Sequence, residues 1–378
     1  MEMVKVLIGA DVCPIRRNLS YFKNGDAKSI FNDLLEELES ADLSIVNLEC
    51  PFINMSTPIN KCGPVLGVES DCIDGLKQAK IDILNLANNH IMDHGPTGLK
   101  NTLEVCSESG IAIVGAGKNL EEARRILVRK VGKIRIGILA VAEHEFSIAT
   151  DNSWGANPLD LIDYVRNVRS QRDNFDYLIV LIHGGNEYYP FPSPRLKDTC
   201  HFMVEMGANA VIVQHTHCPG CYEKYQKAHI IYGQGNLIFD FPNQDKAFYK
   251  GFLVKLLIAE DSSSTMDIIP YLQSASQAGA RKMEKEAEQL FRQSLKERSI
   301  AITDDAFIKA QWLQFCEKRK YEYLGKVLGH NRLFCKLNAH GFFVKYFYTK
   351  SALNLTFNII SCEAHREVLE TIFNRRMI

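Results

Sequence analysis

The sequence has almost no net charge and no long apolar run. Across its 378 residues, 44 lysine and arginine side chains face 45 aspartate and glutamate side chains, a formal net charge of -1. This balance gives no sign of a nucleic-acid or polyanion partner. No stretch reaches the roughly 18 apolar residues of a membrane helix, and the first residues enter a strand without a basic leader. We therefore expect a cytoplasmic protein with no stable membrane insertion.

The cysteines do not form a disulfide pattern. Their number is odd, 11, and they are scattered through predicted strands and helices, which favours a reducing compartment. The one C-x-x-C pair is Cys218-Pro219-Gly220-Cys221. A redox dithiol or an extra metal clamp is conceivable there, but without a second cysteine pair a tight turn is favoured.

Strand-like and helix-like segments alternate before Glu223, which predicts a layered α/β architecture. The predicted strands are Val4–Gly9, Leu43–Asn47, Ile81–Leu86, Ile111–Val114, Tyr177–Ile182 and Ala210–Val213. The predicted helices are Ile30–Leu38, Cys72–Ala79, Thr97–Ser107, Leu159–Arg169 and Pro194–Met206.

From Glu223 onward the pattern changes to short strands separated by turns, which are expected to be antiparallel. They are Ala228–Tyr232, Asn236–Phe241, Gly251–Ile258 and Met266–Leu272. After about residue 275 the sequence becomes charged and helix-forming, at Arg281–Lys296 and Asp304–Leu324, with a possible strand at Leu353–Ile360 and a last helix at Cys362–Arg376. We therefore predict two domains, residues 1–274 and a mainly helical extension, 275–378, which is a separate unit or a lid.

Two histidines one residue apart, His215 and His217, follow the apolar run Ala210–Gln214. The run is typical of a buried strand, and residues i and i+2 of a strand share one face. Two imidazoles leaving one strand on the same side form half a metal site. A pair of hydrogen-bonded structural histidines would give the same pattern.

Metal-type side chains follow the ends of other predicted strands as well, where open α/β sheets place their ligands. Each could serve as a helix cap, an ion-pair partner or a core histidine, but together they predict a metal site. The set mixes oxygen and imidazole donors without cysteine, which excludes a structural zinc knot and favours Mn, Fe or Zn in a hydrolytic site. A carboxylate able to bridge suits two divalent ions about 3.5–4 Å apart. The residues are Asp11, Glu49, Asn88, Asn89, His90 and His183.

These motifs resemble those of the CapA family of capsule-synthesis proteins, the poly-γ-glutamate capsule proteins. That family is itself similar to the calcineurin-like metallophosphoesterases. The matching blocks lie between about residues 4 and 242. They are Gly9–Asp11, Asn47–Glu49, Leu86–Gly95, Gly110–Asn119, Leu181–Gly185, Gly207–His217 and Tyr232–Asp240.

The resemblance implies a metallophosphoesterase-like two-sheet sandwich flanked by helices, and it implies roles for individual residues. Asp11 and His217 would hold the first ion, and Glu49 would bridge the two. The second ion would be held by Asn89, His183 and His215. His90 matches the position that protonates the leaving group or steadies the transition state.

Two positions depart from the metallophosphoesterase pattern. Cys13 stands where a histidine is usual, and Glu49 is one methylene longer than the usual aspartate. A thiol is a possible soft ligand, but a ligand-poor first site is favoured. We therefore expect one tightly bound ion and a second, weaker one.

Substrate contacts are expected around the same edge, at Asn88, Glu143, His144 and Asn236. The segment Gly115–Gly117 resembles a phosphate loop but lacks the full fingerprint, so a turn before a helix is favoured. Arg16 and Arg17 could meet an anionic substrate, although exposed arginines are common.

Two functions remain open. The first is a metal-dependent hydrolase, most simply a phosphoesterase, acting on an anionic or cell-surface-polymer-related substrate. The alternative is a non-hydrolytic accessory protein that uses metals to bind a polyanionic polymer in capsule synthesis, poly-γ-glutamate or polysaccharide. His90 favours the enzyme because binding alone needs no acid beside the metals, whereas a ligand-poor first site favours the binder. Between a phosphoester and a glutamyl amide, the order of the ligands favours the phosphoester.

Overall fold

A computed structural model describes residues 3–61, 63–328 and 331–361. Contacts divide the chain into two compact units, Met1–Lys309 and Ala310–Ile378. The predicted domain boundary at residues 274 and 275 falls inside the first unit. The reason is that the helix Lys285–Ala301 packs on the strands Tyr222–Tyr225 and Ser264–Gln273.

The strands of the described residues all lie in the first unit. They are β1 Val4–Cys13, β2 Leu43–Leu48, β3 Phe52–Ile53, β4 Val68–Glu69, β5 Ile83–Asn85, β6 Ala112–Val114, β7 Ala116–Gly117, β8 Leu127–Val131, β9 Ile134–Ala142, β10 Gly155–Ala156, β11 Tyr177–His183, β12 Ala210–Gln214, β13 Tyr222–Tyr225, β14 Ala228–Tyr232, β15 Asn236–Phe239, β16 Lys250–Ile258, β17 Ser264–Gln273 and β18 Ala280–Lys282.

The helices of the described residues flank these strands in the first unit and make up the described part of the second. They are α1 Leu19–Lys23, α2 Ala27–Phe31, α3 Leu35–Glu39, α4 Ile73–Gln78, α5 Gly95–Ser109, α6 Leu120–Ala123, α7 Leu161–Ser170, α8 Pro194–Glu205, α9 Lys285–Ala301, α10 Asp305–Leu328, α11 Arg332–Ala339, α12 Phe342–Phe347 and α13 Lys350–Ser361. None of them is long and apolar enough to cross a membrane.

Two large sheets organise the first unit. One has the order β18-β17-β16-β1-β2-β5-β6, with β15 also pairing with β1; the other has the order β13-β14-β12-β11-β9-β8. Strands β1, β2, β5 and β6 are mutually parallel, as are β9, β11, β12 and β14. The central strands of the second sheet are continuous apolar runs because parallel strands are covered on both faces.

The second sheet shows that the architecture is a sandwich. Alternate residues such as Leu181 and Ile212 join the core shared with the first sheet. Their neighbours Val180 and Val211 instead join the cluster that contains residues of helices α7 and α8. Because side chains alternate along a strand, one face meets the other sheet and the opposite face meets helices. The predicted α/β sandwich with outer helices and a mainly helical C-terminal part is confirmed.

Three expectations for the later chain need correction or stay open. Strands β14 and β15 were expected to be antiparallel. Strand β14 is antiparallel to β13 but parallel to β12, and β15 is parallel to β1, because the chain changes sheets between β14 and β15. The segment Leu353–Ile360 is not a strand but part of helix α13; a short apolar run fits both periodicities. The predicted helix Cys362–Arg376 lies outside the described residues.

Candidate metal centre

The ligands expected from the sequence meet at one edge of both sheets. Glu49 follows β2, Asn89 follows β5, His183 ends β11, and the two histidines 215 and 217 follow β12. Asp11 lies in β1 at a shift in the pairing register with β2 and β15. The carboxyl ends of parallel strands share one edge, which is why residues so distant in sequence converge. All are buried except Asn89, which is half-buried.

Three atoms that could ligate a metal lie close to the Nε2 atom of His183. It lies 3.0 Å from Asn89 Oδ1, 3.0 Å from His215 Nδ1 and 3.5 Å from Glu49 Oε1. Together with His183 itself, these are the residues expected to hold the second ion and the expected bridging carboxylate. One amide oxygen, one carboxylate oxygen and two imidazoles therefore point at one small volume.

The residues expected at the first ion lie beside this volume. Ligand atoms of Glu49, His215 and His217 lie within 4.8 Å of one another, and His217 Nδ1 lies 3.9 Å from Asp11 Oδ2. Asp11 is fixed at both oxygens, because Oδ1 accepts from Asn47 Nδ2 at 2.7 Å and Oδ2 accepts from the His215 backbone N–H at 3.3 Å.

Two neighbouring side chains hold the imidazole of His217 in place. Its Nδ1 contacts Asn236 Oδ1 at 2.8 Å, and the ring of Phe239 stacks on it at 5.5 Å with an interplanar angle of 15°. With Nδ1–H donating to Asn236, Nε2 is left as the donor atom for an ion. Asn236, expected as a substrate contact, is itself buried and also donates to Phe248 O at 3.3 Å. It thus supports His217.

Glu49 gives the clearest sign that the cluster accommodates a cation. Both carboxylate oxygens are buried, and neither has a hydrogen-bond partner in the part of the chain that the structure describes. Leaving a buried polar group unpaired costs about 1–3 kcal/mol, and more when it is charged. A divalent ion among the neighbouring donors would satisfy both oxygens, so the residues present fit such an ion.

The pKa values of the expected ligands divide into two groups. Burial alone would raise the pKa of Glu49, but the combined field of His217, His183 and His90 holds it below the usual range. Burial and the neighbouring imidazoles lower the pKa of His215 well below its usual value. An ionised carboxylate and a neutral imidazole are the protonation states that metal ligation requires. Burial and the charge of Glu49 instead raise the pKa of Asp11 to about 6, and burial of His217 is outweighed by Glu49 and Asp11, which raise its pKa, so these two ligands must give up more tightly held protons to bind an ion.

The backbone at the two histidines is strained. His215 has φ 87° and His217 has φ 52°, in a region that residues other than glycine adopt rarely. Such conformations cost of the order of 1–3 kcal/mol and cluster at functional sites. The strain turns the chain sharply after β12, so that both imidazoles face the cluster.

His90 is oriented by a buried ion pair. Its Nδ1 lies 2.7 Å from Asp93 Oδ2, and the other oxygen of Asp93 accepts from Lys61 Nζ at 2.5 Å. The side chains of Lys61 and Asp93 are 2% and 0% exposed, so water does not screen the pair. Lys61 Nζ also lies 3.3 Å from His90 Nδ1. The Leu66 N–H also donates to Asp93 at 2.7 Å. This hydrogen bond holds the loop that carries Lys61 against the turn that carries His90 and Asp93.

Asn88 and Asn47 form the framework under the ligands. Asn88 Nδ2 donates to Asn47 Oδ1 and to Leu48 O, and Asn88 Oδ1 accepts from the His90 N–H. Asn88 was expected to contact substrate, but its amide is fully engaged within the protein. It fixes the turn that presents His90.

Glu143 and His144 lie at the rim rather than in the cluster. Glu143 is half-buried next to His183, whose carbonyl accepts from its backbone N–H at 3.1 Å, and burial raises the pKa of Glu143. His144 is exposed. Neither side chain touches an expected ligand, so their role as substrate contacts stays a prediction.

Among the described residues, no cysteine belongs to the cluster of possible ligands. Cys13 is buried, and burial together with the adjacent Cys50 raises the pKa of its thiol well above the usual value. Cys218 and Cys221 are free thiols, buried behind the strained turn. Burial raises the pKa of Cys218 to about 12, so no thiolate is available there.

The remaining expected contacts have structural explanations. Ala116 and Gly117 form β7, which pairs with β10, so no phosphate loop is built there. Arg17 makes a bidentate ion pair with Asp240. Arg16 lies over the ring of Phe241, 5.2 Å from its centroid.

Sequence reasoning missed Asn47 and Lys61 as parts of the site, and it noted Asp93 after His90 without giving it a role. Asn47 lies within a matched block, so its position was a usable signal. Lys61 lies in an irregular loop between β3 and β4, and no pattern in the sequence connects it with His90.

Comparison with known proteins assigns the chain to a family. Residues 5–241, more than half of the chain, match the family described as bacterial capsule synthesis protein PGA_cap. The chain belongs to this family. The match covers every element that positions the cluster, from β1 to β15, and it confirms the resemblance noted in the sequence.

Individual members of the capsule synthesis family match over part of their length. The capsule biosynthesis protein CapA of Bacillus anthracis is 29% identical over 214 residues, which cover 54% of this chain and 51% of that protein. A probable polyglutamine synthesis accessory protein of Mycobacterium tuberculosis (strain CDC 1551 / Oshkosh) is 27% identical over 219 residues, 54% and 57% respectively. The chain thus spans about half the length of the curated relatives it matches.

One solved structure illustrates how remote the structural likenesses are. A hypothetical protein from Thermus thermophilus shares 17% identity, with 74% of this chain and all of that chain covered, at a TM-score of 0.45. The likeness is too distant to bear on function.

Proposed function

We propose that this capsule synthesis family member is a metal-dependent hydrolase of phosphoesters. The observation that carries this proposal is the buried carboxylate of Glu49, which has no hydrogen-bond partner among the described residues and lies among imidazole, amide and carboxylate ligand atoms. Asn89, His183 and His215 would hold one ion, Asp11 and His217 would hold the other, and Glu49 would contribute to both sites. A pair of bound divalent ions supplies Lewis-acid stabilisation of the phosphoryl oxygens and activates water.

The chain's own contribution to the reaction is proton transfer by His90. Asp93 holds its Nδ1, so Nε2 is the ring nitrogen free to donate a proton to the leaving-group oxygen. Lys61 fixes Asp93 by a buried ion pair, which limits rotation of the imidazole. Positioned acid catalysis of this kind typically contributes about 10²–10⁴-fold.

The two ion sites are unequal in this proposal. The site around His183 has two imidazoles and an amide oxygen besides Glu49. The site around Asp11 has one imidazole, His217, besides Asp11 and Glu49, because Cys13 stands where a histidine is usual. We expect the site around Asp11 and His217 to bind Mn, Fe or Zn more weakly than the site around His183.

The substrate is expected to be anionic, either a small phosphoester or a precursor of a cell-surface polymer. The rim residues Glu143 and His144 would contact its leaving group or its remaining chain. The names of the relatives refer to capsule biosynthesis and to polyglutamine synthesis, which favours a polymer-related substrate.

A second function is favoured by a separate observation. The donor-poor side of the cluster at Cys13 suits a protein that grips a polyanion through its metals without cleaving it. The relative from Mycobacterium tuberculosis carries the name of an accessory protein. In that case His90 would contact the polymer and would not transfer a proton.

A metal-reconstitution experiment separates the two functions. Protein stripped with chelator and reloaded with Mn²⁺ or Zn²⁺ is assayed against phosphomonoesters, phosphodiesters, nucleotides and γ-glutamyl peptides. Turnover of a phosphoester that depends on the metal and on His90 supports the hydrolase. Release of glutamate that is insensitive to phosphate would replace the phosphoesterase by an amidase. Metal-dependent binding of polyglutamate without any turnover would favour the accessory protein.

A further inference from the structure

The described part of the second unit exposes a group of large apolar side chains. We call it the aromatic face, and it comprises Leu333, Phe334, Leu337, Phe342, Tyr346 and Phe347. Their exposed fractions run from 43% for Leu337 to 73% for Tyr346. Isolated apolar residues are ordinary on a protein surface, but a contiguous group marks an interaction site.

The aromatic face is continuous across helices α11 and α12. The ring of Phe334 on α11 stacks on Phe343 of α12, with centroids 4.7 Å apart. Along α12, Phe342 lies 5.3 Å from Tyr346 and Phe343 lies 5.3 Å from Phe347. Residues four apart share a helix face. The two helices therefore present one apolar surface rather than separate side chains.

The charge of this segment has a single sign. Residues 331–361 contain no aspartate or glutamate, although the whole chain has 45 of them. The same segment carries the cations Arg332, Lys336 and Lys350. A helical surface with leucine and phenylalanine on one side and lysine or arginine around it is typical of helices that lie in the headgroup region of a bilayer.

We propose that the aromatic face binds the surface of an anionic lipid bilayer. The leucine and phenylalanine side chains would enter the boundary between headgroups and acyl chains, while the cations contact anionic headgroups. A second copy of the chain would bring like charges together, and a soluble polyanion would leave the apolar side chains in water. An anionic bilayer satisfies both features at once. Helix α11 has 8 residues and helix α12 has 6, so the surface lies on the bilayer and does not span it.

Vesicle co-sedimentation of the full chain tests this surface. Binding is compared on vesicles of phosphatidylcholine alone and of phosphatidylcholine with phosphatidylglycerol, in EDTA so that the metal centre plays no part. We expect binding to the anionic vesicles only, weakened by salt because the charges are exposed. Each cation near an anionic bilayer contributes about 1 kcal/mol, so Lys336→Gln should weaken the partition coefficient about fivefold.

A matched pair of substitutions distinguishes binding through the aromatic face from nonspecific binding through any exposed apolar side chain. Leu333 on α11 and Ile162 on α7 are 63% and 64% exposed, so Leu333→Ser and Ile162→Ser remove similar exposed side chains. We expect only Leu333→Ser to reduce vesicle binding, with both variants folded by circular dichroism. Equal loss in both variants, equal binding to neutral vesicles, or no binding at all would overturn the proposal. So would self-association that depends on Leu333, or binding to soluble polyglutamate in place of vesicles.

Discussion

Replacing Glu49 by glutamine should remove most of the stabilisation that a divalent ion gives to the folded protein. The Glu49 carboxylate is buried and has no hydrogen-bond partner in the described structure, while the field of the neighbouring histidines holds its pKa below the usual range. A lowered pKa means that the folded state favours the charged form. Glutamine has nearly the same shape and no charge, so the metal-free variant should also be less stable at neutral pH. The gain from metal is therefore compared within each protein.

The metal should stabilise the two proteins differently. At a Mn²⁺ concentration a hundredfold above its Kd, a ligand bound only by the folded state adds about 2.7 kcal/mol to the free energy of unfolding. If Glu49→Gln weakens binding a hundredfold, the same concentration adds only about 0.4 kcal/mol. Glu49 lies within reach of both groups of donors, which is why one substitution should affect both ions.

Urea denaturation followed by circular dichroism, with EDTA and with Mn²⁺, measures all four free energies. Asp71→Asn is a suitable control because Asp71 has an exposed side chain, 49% accessible, in a surface ion pair. The reasoning is refuted if Glu49→Gln gains as much from Mn²⁺ as the unaltered protein does.

Other substitutions and conditions test separate parts of the site. His90→Ala should lower turnover by about 10²–10⁴-fold with metal content retained, whereas His215→Ala should lose metal; equal metal loss by elemental analysis would make His90 a ligand. Lys61→Ala should lower kcat at unchanged metal content, and Lys61→Arg should restore part of it, because the cation fixes Asp93; a changed metal content would instead place Lys61 in the support of the ligands. The Asp11 carboxyl, with its pKa raised to about 6, must lose its proton before it binds an ion. Mn²⁺ affinity by calorimetry should therefore fall as the pH drops, by up to about tenfold per pH unit below about pH 6. It should level off only above the raised pKa of His217, which must also lose its proton; a flat profile would contradict this. Inorganic phosphate should inhibit phosphoester turnover competitively, and inhibition that is not relieved by substrate would argue against a shared site.

The sequence was a good guide where one periodicity or one chemistry dominates. The run at β11 ends in His183, and the apolar run at β12 is followed by His215 and His217, so both the strands and their metal-type ends could be predicted. Parallel strands then require that such ends meet at one edge, and the distances around His183 agree with that expectation.

Long-range contacts were less accessible from the sequence. The change of sheet between β14 and β15 depends on pairing partners that are more than 200 residues away, such as Asp11 with Asn236. The supporting roles of Asn88 and Asn236 depend on where each amide points, which the sequence does not encode locally. The contact between Lys61 and Asp93 joins an irregular loop to a turn, and no periodic pattern predicts it.

The boundary between the units was also hidden. The change to charged helical sequence after about residue 275 indicated a new domain, but a charged helix can still bury one stripe. In α9, Phe291 and Leu295 are buried in the first unit. The change in composition after about residue 275 therefore comes earlier in the chain than the boundary between the two units. The cytoplasmic location and the number of ions bound stay predictions.

Hydrolysis of a chromogenic phosphodiester by Mn²⁺-loaded protein, beside His90→Ala of equal metal content, tests the central claim most directly. We predict turnover that EDTA abolishes and Mn²⁺ restores. The His90→Ala variant should turn over the substrate at least about a hundredfold more slowly. Fully loaded protein that cleaves no phosphoester, or a variant that cleaves as fast as the unaltered chain, would contradict it.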